Sequence, residues 1–125
     1  MHKFIFFLPD TIGGVNTYVT NYASLLEKQN PIKIVRYRTI NSLKSTTTCT
    51  TNHNIRNVSI SLSMFTTCKK KYQLLLKQVQ PDHILICNDS FELQAINFYK
   101  LPNKVIFILH GDIEHYSNIL KNNRN

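Results

Sequence analysis

Three short segments hold the residues whose types and spacing could do chemistry. The first is Pro9-Asp10-Thr11-Ile12-Gly13-Gly14-Val15-Asn16, which follows an apolar run. The adjacent Gly13 and Gly14 let the backbone turn sharply and leave N–H groups unobstructed by Cβ atoms. At the start of a helix those donors join the positive end of the helix dipole and suit a phosphate. The spacing is neither G-x-G-x-x-G nor G-x-x-x-x-G-K-[ST], which argues against a dinucleotide fingerprint and a P-loop. A glycine turn with no ligand remains the alternative. The second segment is His110-Gly111-Asp112. An imidazole there can give or take a proton or hydrogen-bond sugar hydroxyls, and Gly111 permits close approach. A helix-capping Asp112 beside a histidine satisfied by backbone is the competing reading. The third is Asn88-Asp89-Ser90, where Asp89 reads first as a helix cap and second as a ligand group.

Other chemistries find little support. His2, His53, His83 and His115 stand at no metal-ligand spacing with carboxylates or cysteines, so no metal is expected. There is no G-x-S-x-G for a nucleophile-elbow hydrolase and no pair of carboxylates on one predicted wall for a glycosidase. Cys49, Cys68 and Cys87 are scattered and odd in number, which argues against a disulfide framework and fits a reducing compartment. Cys68 and Cys87 fall on apolar faces and are expected to be core thiols, with Cys49 in a polar loop.

The elements that must position these segments follow from apolar periodicity. Lys3 to Leu8 is a continuous β-prone run, as in a strand buried on both faces. Val15, Tyr18, Val19, Tyr22, Ala23 and Leu26 predict a helix from Val15 to about Lys28, ended by Asn30-Pro31. Lys33 to Tyr37 is a second strand. Asn41 to Asn57, rich in Thr, Ser and Asn, reads as a surface loop, and the alternation of Val58, Ile60 and Leu62 as a third strand nearer an edge. Phe65, Cys68, Tyr72, Leu75, Leu76 and Val79 trace an amphipathic helix with Lys69, Lys70 and Lys77 towards solvent. His83 to Cys87 is a further strand. Asp89 opens the next helix with Glu92 in capping-box register, and Phe91, Ala95, Ile96 and Tyr99 form its inner face. Lys104 to Leu109 is the last apolar strand. The order predicts an α/β, Rossmann-like, doubly wound and mostly parallel sheet of about five strands, with helices on both faces and right-handed crossovers. Ligands then bind beyond the carboxyl ends of the strands, where all three segments lie.

With 125 residues the chain suits one domain, residues 1–125, and its 42% hydrophobic content is enough for a core. Apolar runs of only a handful of residues cannot span a membrane, which takes ~20. The stretch Met1 to Leu8 stops at Pro9-Asp10 without a small-residue cleavage site, so it is expected to be a first strand of a cytoplasmic protein rather than a secretory signal. Lys and Arg exceed Asp and Glu by 15 to 7, a net charge of +8. A solvated basic surface explains this; an anionic membrane or phosphorylated substrate is the sharper reading, with Lys69-Lys70-Lys71 the only run. No Arg-rich or RNP-like motif accompanies it, so nucleic acid is not an expected partner.

Taken together, three stretches resemble glycosyltransferase family 4. Phe4 to Leu8 followed by Ile12-Gly13-Gly14-Val15-Asn16-Thr17-Tyr18-Val19 and Leu25-Leu26-Glu27-Lys28 is similar to the family's opening strand, Gly-Gly-[Val/Ile] loop and leucine-ended helix. Pro81-Asp82-His83-Ile84-Leu85-Ile86-Cys87-Asn88 resembles its "P-D-[IV]-[IV]-H" strand, and Val105-Ile106-Phe107-Ile108-Leu109-His110-Gly111-Asp112 its "V-[IV]-x-[ST]-[IL]-H-[GD]-D" strand.

The resemblance implies the GT-B architecture of two Rossmann-like domains facing across a cleft, with this chain as the acceptor-side, N-terminal one. It implies retaining transfer of a hexosyl group from a nucleoside-diphosphate sugar, the co-substrate, to a polysaccharide or glycolipid acceptor. No metal or other cofactor is needed. Gly13 and Gly14 would approach the donor diphosphate, His110 the transferred sugar, and Asp112 the acceptor or His110. Asn16, Asn88 and Asp89 are the expected acceptor contacts. Cys87-Asn88 departs from the family's histidine. The resemblance implies a donor-binding C-terminal domain with an E-x7-E segment that the sequence does not include. The chain is therefore expected to be a truncated piece or one half of a split enzyme with a separate donor-binding domain, and to be inactive alone. Peripheral contact with the inner face of an anionic membrane is a further expectation. The rival expectation is a non-enzymatic Rossmann-like module that binds a phosphorylated ligand or a protein.

Overall fold

The computed structural model describes residues 2–10, 14–38 and 54–110. In chain order the elements are β1 (Lys3–Pro9), α1 (Gly14–Leu26), β2 (Ile32–Arg38), β3 (Ile55–Ser61), α2 (Cys68–Leu75), β4 (His83–Cys87), α3 (Ser90–Tyr99) and β5 (Val105–Phe107). A single 3₁₀ turn, Leu76–Gln78, follows α2. The five strands form one sheet in the order β3-β2-β1-β4-β5, and every neighbouring pair is parallel. The chain moves outward from β1 to β2 and β3, then crosses back to β4 on the other side. The sheet is therefore Rossmann-like, with its switch of direction between β1 and β4.

Strand alternation assigns the two faces. Phe4, Phe6 and Leu8 of β1 and Ile32 and Ile34 of β2 pack with Val19 and Ala23 of α1. Ile5 and Phe7, with Val35, Tyr37, Leu85 and Cys87, point to the opposite face, where Leu75 of α2 and Ala95 and Ile96 of α3 cover them. Each residue from Ile5 to Leu8 is fully buried, the pattern expected of a central strand. Burying two Phe side chains of β1 in this way contributes about 2–3 kcal/mol each.

Several expectations need correction. Cys68 is exposed although its spacing puts it on the stripe of Tyr72 and Leu75, because it is the first residue of α2, at the helix end. Thr67 caps that helix by accepting the Lys70 N–H, so Phe65 precedes it and Val79 follows it. β3 begins at Ile55, inside the segment expected to be loop; the rest of that loop, including Cys49, lies outside the described residues. β5 pairs over three residues only and is half-exposed, since it is the sheet's outer strand rather than a covered one. Among the described residues no helix is long and apolar enough to cross a membrane.

Candidate functional site

Because all strands are parallel, the residues that follow β1, β4 and β5 emerge on one rim, beside the first turn of α1. Asn88, the residue after β4, organises that rim. It is 2% exposed, and its side-chain Nδ2 donates to the Phe7 carbonyl of β1 at 2.8 Å. That bond fixes the amide orientation and turns Oδ1 towards His110, whose Nε2 lies 2.9 Å away. An amide oxygen can only accept, so Nε2 carries the proton. In the neutral ring Nδ1 is then the acceptor, and among the described residues it has no partner.

His110 reaches this position because β5 continues the ladder past its last strand residue, with Ile108 N–H donating to Cys87 O at 2.9 Å. Its ring meets the half-exposed Tyr18 of α1 edge-on, centroids 5.5 Å apart and planes at 83°. Tyr18 stacks on Tyr22, which in turn packs edge-on against Phe6. An aromatic ladder thus runs from the core of the sheet to the imidazole.

Beneath Asn88 lies a carboxyl group with no exposure at all. Glu92 Oε1 accepts the Asn88 N–H at 2.7 Å, and Oε2 accepts the Tyr37 hydroxyl at 2.7 Å. Burial pushes the Glu92 carboxyl well above the usual carboxylate range, and nearby Asp89 adds to the rise; the Tyr37 and backbone bonds oppose it. Burial likewise drives the Tyr37 phenol up, reinforced by Glu92. The Cys87 thiol is raised by burial first and Glu92 second, which leaves it protonated and inert.

On the other flank, Arg36 of β2 is a buried cation, 6% exposed. Its Nε donates to Asn16 Oδ1 in the first turn of α1 at 3.2 Å, and Nη1 donates to Asn57 of β3. Asp10 follows β1, with its N–H on Tyr37 O at 2.7 Å and its carboxylate 3.7 Å from Arg38 Nε. A guanidinium and a helix N-terminus therefore adjoin, a combination favourable to an anion.

Asn88, His110 and the α1 start share this rim, as the sequence expectation requires. Gly14 is the first residue of α1, while Gly13 and Asp112 lie outside the described residues. Asp89 is the N-cap of α3, its Oδ2 accepting the Phe91 N–H at 3.1 Å. Asn16 is tied to Arg36. Sequence reasoning misses Arg36, Tyr18, Tyr37 and the burial of Glu92. A usable signal existed for Arg36: it interrupts an apolar strand at an inward position. Among the described residues no three His, Cys, Asp or Glu side chains gather as metal ligands would. Comparison with protein-family models, curated proteins and solved structures returns no match.

Proposed function

We propose that this chain is the acceptor-side half of a nucleotide-sugar-dependent glycosyltransferase related to family 4, working with a donor-binding domain. The observation that carries the reading is His110 itself. Asn88 fixes its tautomer, Nδ1 remains an acceptor, and its ring adjoins Tyr18 on the helix that begins at the same rim. That is what a sugar subsite needs: an acceptor for a hydroxyl, an aromatic surface for the apolar face of a pyranose, and positive potential nearby for a diphosphate.

In this reading the donor diphosphate lies near the first turn of α1 and Arg36. The bond from the sugar's anomeric carbon to the diphosphate oxygen breaks, and a bond to the acceptor hydroxyl oxygen forms. The diphosphate leaves with the bonding electron pair, and the hydroxyl proton passes to it or to solvent. His110 holds the sugar through a hydroxyl on Nδ1, and Glu92 holds Asn88, and so His110, in register.

The test is an NMR titration of the whole chain with a panel of nucleoside-diphosphate sugars and with diphosphate alone. Saturable shifts at His110 and Tyr18, stronger for the sugars than for diphosphate, are expected. His110→Ala should weaken binding at least tenfold while leaving the circular dichroism spectrum unchanged. Equal affinity for diphosphate and its sugar esters would replace this reading with a phosphate-binding module. No saturable shift on the rim with any of the panel would overturn it.

A further inference from the structure

The opposite, amino-terminal rim of the sheet holds an arrangement that the glycosyl-transfer reading does not use. On four adjacent strands the first or second residue is basic: Arg56 of β3, Lys33 of β2, Lys3 of β1 and His83 of β4. Lys33 and Arg56 are direct register partners, as are Lys3 and His83. Alternation puts all four on one face. Lys3 shares its side with Ile5 and Phe7, Lys33 with Val35 and Tyr37, His83 with Leu85 and Cys87, and Arg56 with Val58 and Ile60. Like charges directly opposite each other on neighbouring strands destabilise a sheet. A chain that places them there without a local gain breaks the rule that ordinary folding would favour.

These four residues, with Asn54 and the apolar edge of Phe4, line one open cleft of about 280 Å³. Countercharge on this rim is sparse. Asp82 pairs with Lys3 at 3.0 Å, and among the described residues Lys33 Nζ meets only the neutral Gln78 Oε1 at 3.4 Å. Just past the end of α1, the Glu27 backbone carbonyl accepts Asn54 Nδ2 at 2.9 Å. Arg56 is exposed and has no ion pair among the described residues. His83 is itself oriented: its Nδ1 accepts the Gln80 N–H at 2.9 Å, so in the neutral ring the proton sits on Nε2, a donor. Its imidazole is held below the ordinary range by burial first, then by Lys33, with Lys3 adding and Asp82 opposing.

We propose that this cleft is a second ligand site, which takes a phosphate group through Lys3, Lys33, Arg56 and the Nε2–H of His83. A phosphate offers several acceptor oxygens to donors converging from adjacent strands and neutralises the opposed pair Lys33 and Arg56. The phosphate is that of a soluble phosphorylated compound or of a phosphomonoester lipid headgroup.

The test uses the whole chain at low salt. Inorganic pyrophosphate is titrated while the His83 imidazole is followed by NMR. A saturable shift is expected, with the His83 titration moving to higher pH because the bound anion favours imidazolium. The double variant Lys33→Gln/Arg56→Gln should weaken binding at least tenfold. Its thermal midpoint in phosphate-free buffer should match or exceed that of the parent, since two opposed charges are gone. His110→Ala should leave pyrophosphate binding here unchanged, so failure of the carboxyl-rim reading and failure of this one are separate results.

Vesicles containing phosphatidic acid identify the source. Co-sedimentation that pyrophosphate competes away and the double variant lacks assigns the site to a membrane phosphate. Pyrophosphate binding without co-sedimentation assigns it to a soluble ligand. A His83 titration indifferent to pyrophosphate, or binding of equal strength in the double variant, overturns the proposal.

Discussion

The two rims of one sheet handle polar groups in opposite ways. At the carboxyl rim Asn88 and Glu92 are buried and each bonds to its neighbours, so that Tyr37, Glu92, Asn88 and His110 form one chain of hydrogen bonds across β2, β4 and β5. At the amino rim Lys3 and Arg56 are exposed and Lys33 is half-buried, and among the described residues Lys3 pairs with the exposed Asp82. A buried network is expensive to interrupt, because any member left without its partner has no water to replace it. Exposed charges cost little to remove and are screened by salt. The first rim is therefore a pre-organised network whose integrity is tied to folding, and the second is a surface whose charges are set by solvent more than by packing.

The largest expected effect comes from breaking the buried network. Glu92→Leu leaves the Tyr37 hydroxyl and the Asn88 N–H without their acceptor, at about 1–3 kcal/mol each. Urea unfolding should show a loss of about 3 kcal/mol or more. Glu92→Gln keeps an acceptor for Asn88 and a partner for Tyr37, so its loss should stay below about 1 kcal/mol. On the opposite rim Lys33→Gln should change stability by no more than about 0.5 kcal/mol. Equal losses for Glu92→Leu and Lys33→Gln would erase the contrast between the rims.

The rims should also respond to pH with opposite sign. Glu92 is raised well above its ordinary 4.5 on folding, so the folded chain holds a proton that the unfolded chain releases. Its contribution is complete below that ordinary value and falls as pH rises through the shifted one. Tyr37 from β2, Cys87 from β4 and Asp89 from its own helix end are the titratable groups around it. His83 is lowered from 6.5, facing Lys33, Asp82 and Lys3, so its contribution is present above 6.5 and falls as pH drops below it. Above 4.5 the first contribution falls as pH rises, and below 6.5 the second rises with it, so the two oppose each other where these ranges overlap. Glu92→Gln should make stability rise with pH in that window, and His83→Asn should make it fall. Each slope is bounded by about 1.4 kcal/mol per pH unit. Chemical denaturation at several pH values measures both, and slopes of the same sign in the two variants would contradict the assignment.

How much of this was legible depends on whether a residue's role is local. Lys3 to Leu8 and His83 to Cys87 declare themselves because an unbroken apolar run has few other uses. The cap at Asp89 is likewise local. Glu92 illustrates the failure: from sequence it is the third residue of a helix and belongs in a capping box, yet Tyr37 meets it from 55 positions away. Nothing short of the strand order predicts that pairing. The same holds for Asn88, legible as a loop residue but not as the clamp between Phe7 and His110. The basic row of the amino rim is invisible for the same reason, since Lys3, Lys33, Arg56 and His83 are dispersed in the chain and meet only through the register. Cys68 shows the converse error: its apolar spacing places it on the right stripe, but it stands at the first position of α2, where that stripe runs out into solvent.

Helix α3 crosses from one rim to the other, so its two ends carry the contrast in miniature. At the carboxyl rim Asp89 caps it in extended geometry, with its carboxylate on the Phe91 N–H. Asp89→Ala should cost about 1 kcal/mol, with a matching fall in the urea midpoint, because the cap and its favourable interaction with the dipole are both lost.

At the amino rim the helix ends on Lys100, held in the left-handed region at φ 51° and ψ 49°, with its N–H on the Ile96 and Asn97 carbonyls. A side chain with a Cβ pays about 1 kcal/mol or more for that conformation, which glycine avoids. Against this, glycine gains freedom in the unfolded chain, and removing Lys100 forfeits a cation at the negative end of the dipole. The balance favours Lys100→Gly by about 0.5 kcal/mol, a rise of roughly 2–4 °C in thermal midpoint. Lys100→Ala removes the same charge and keeps the Cβ, so it should lower the midpoint slightly. If both substitutions shift it in the same direction, charge rather than backbone geometry governs this end of α3.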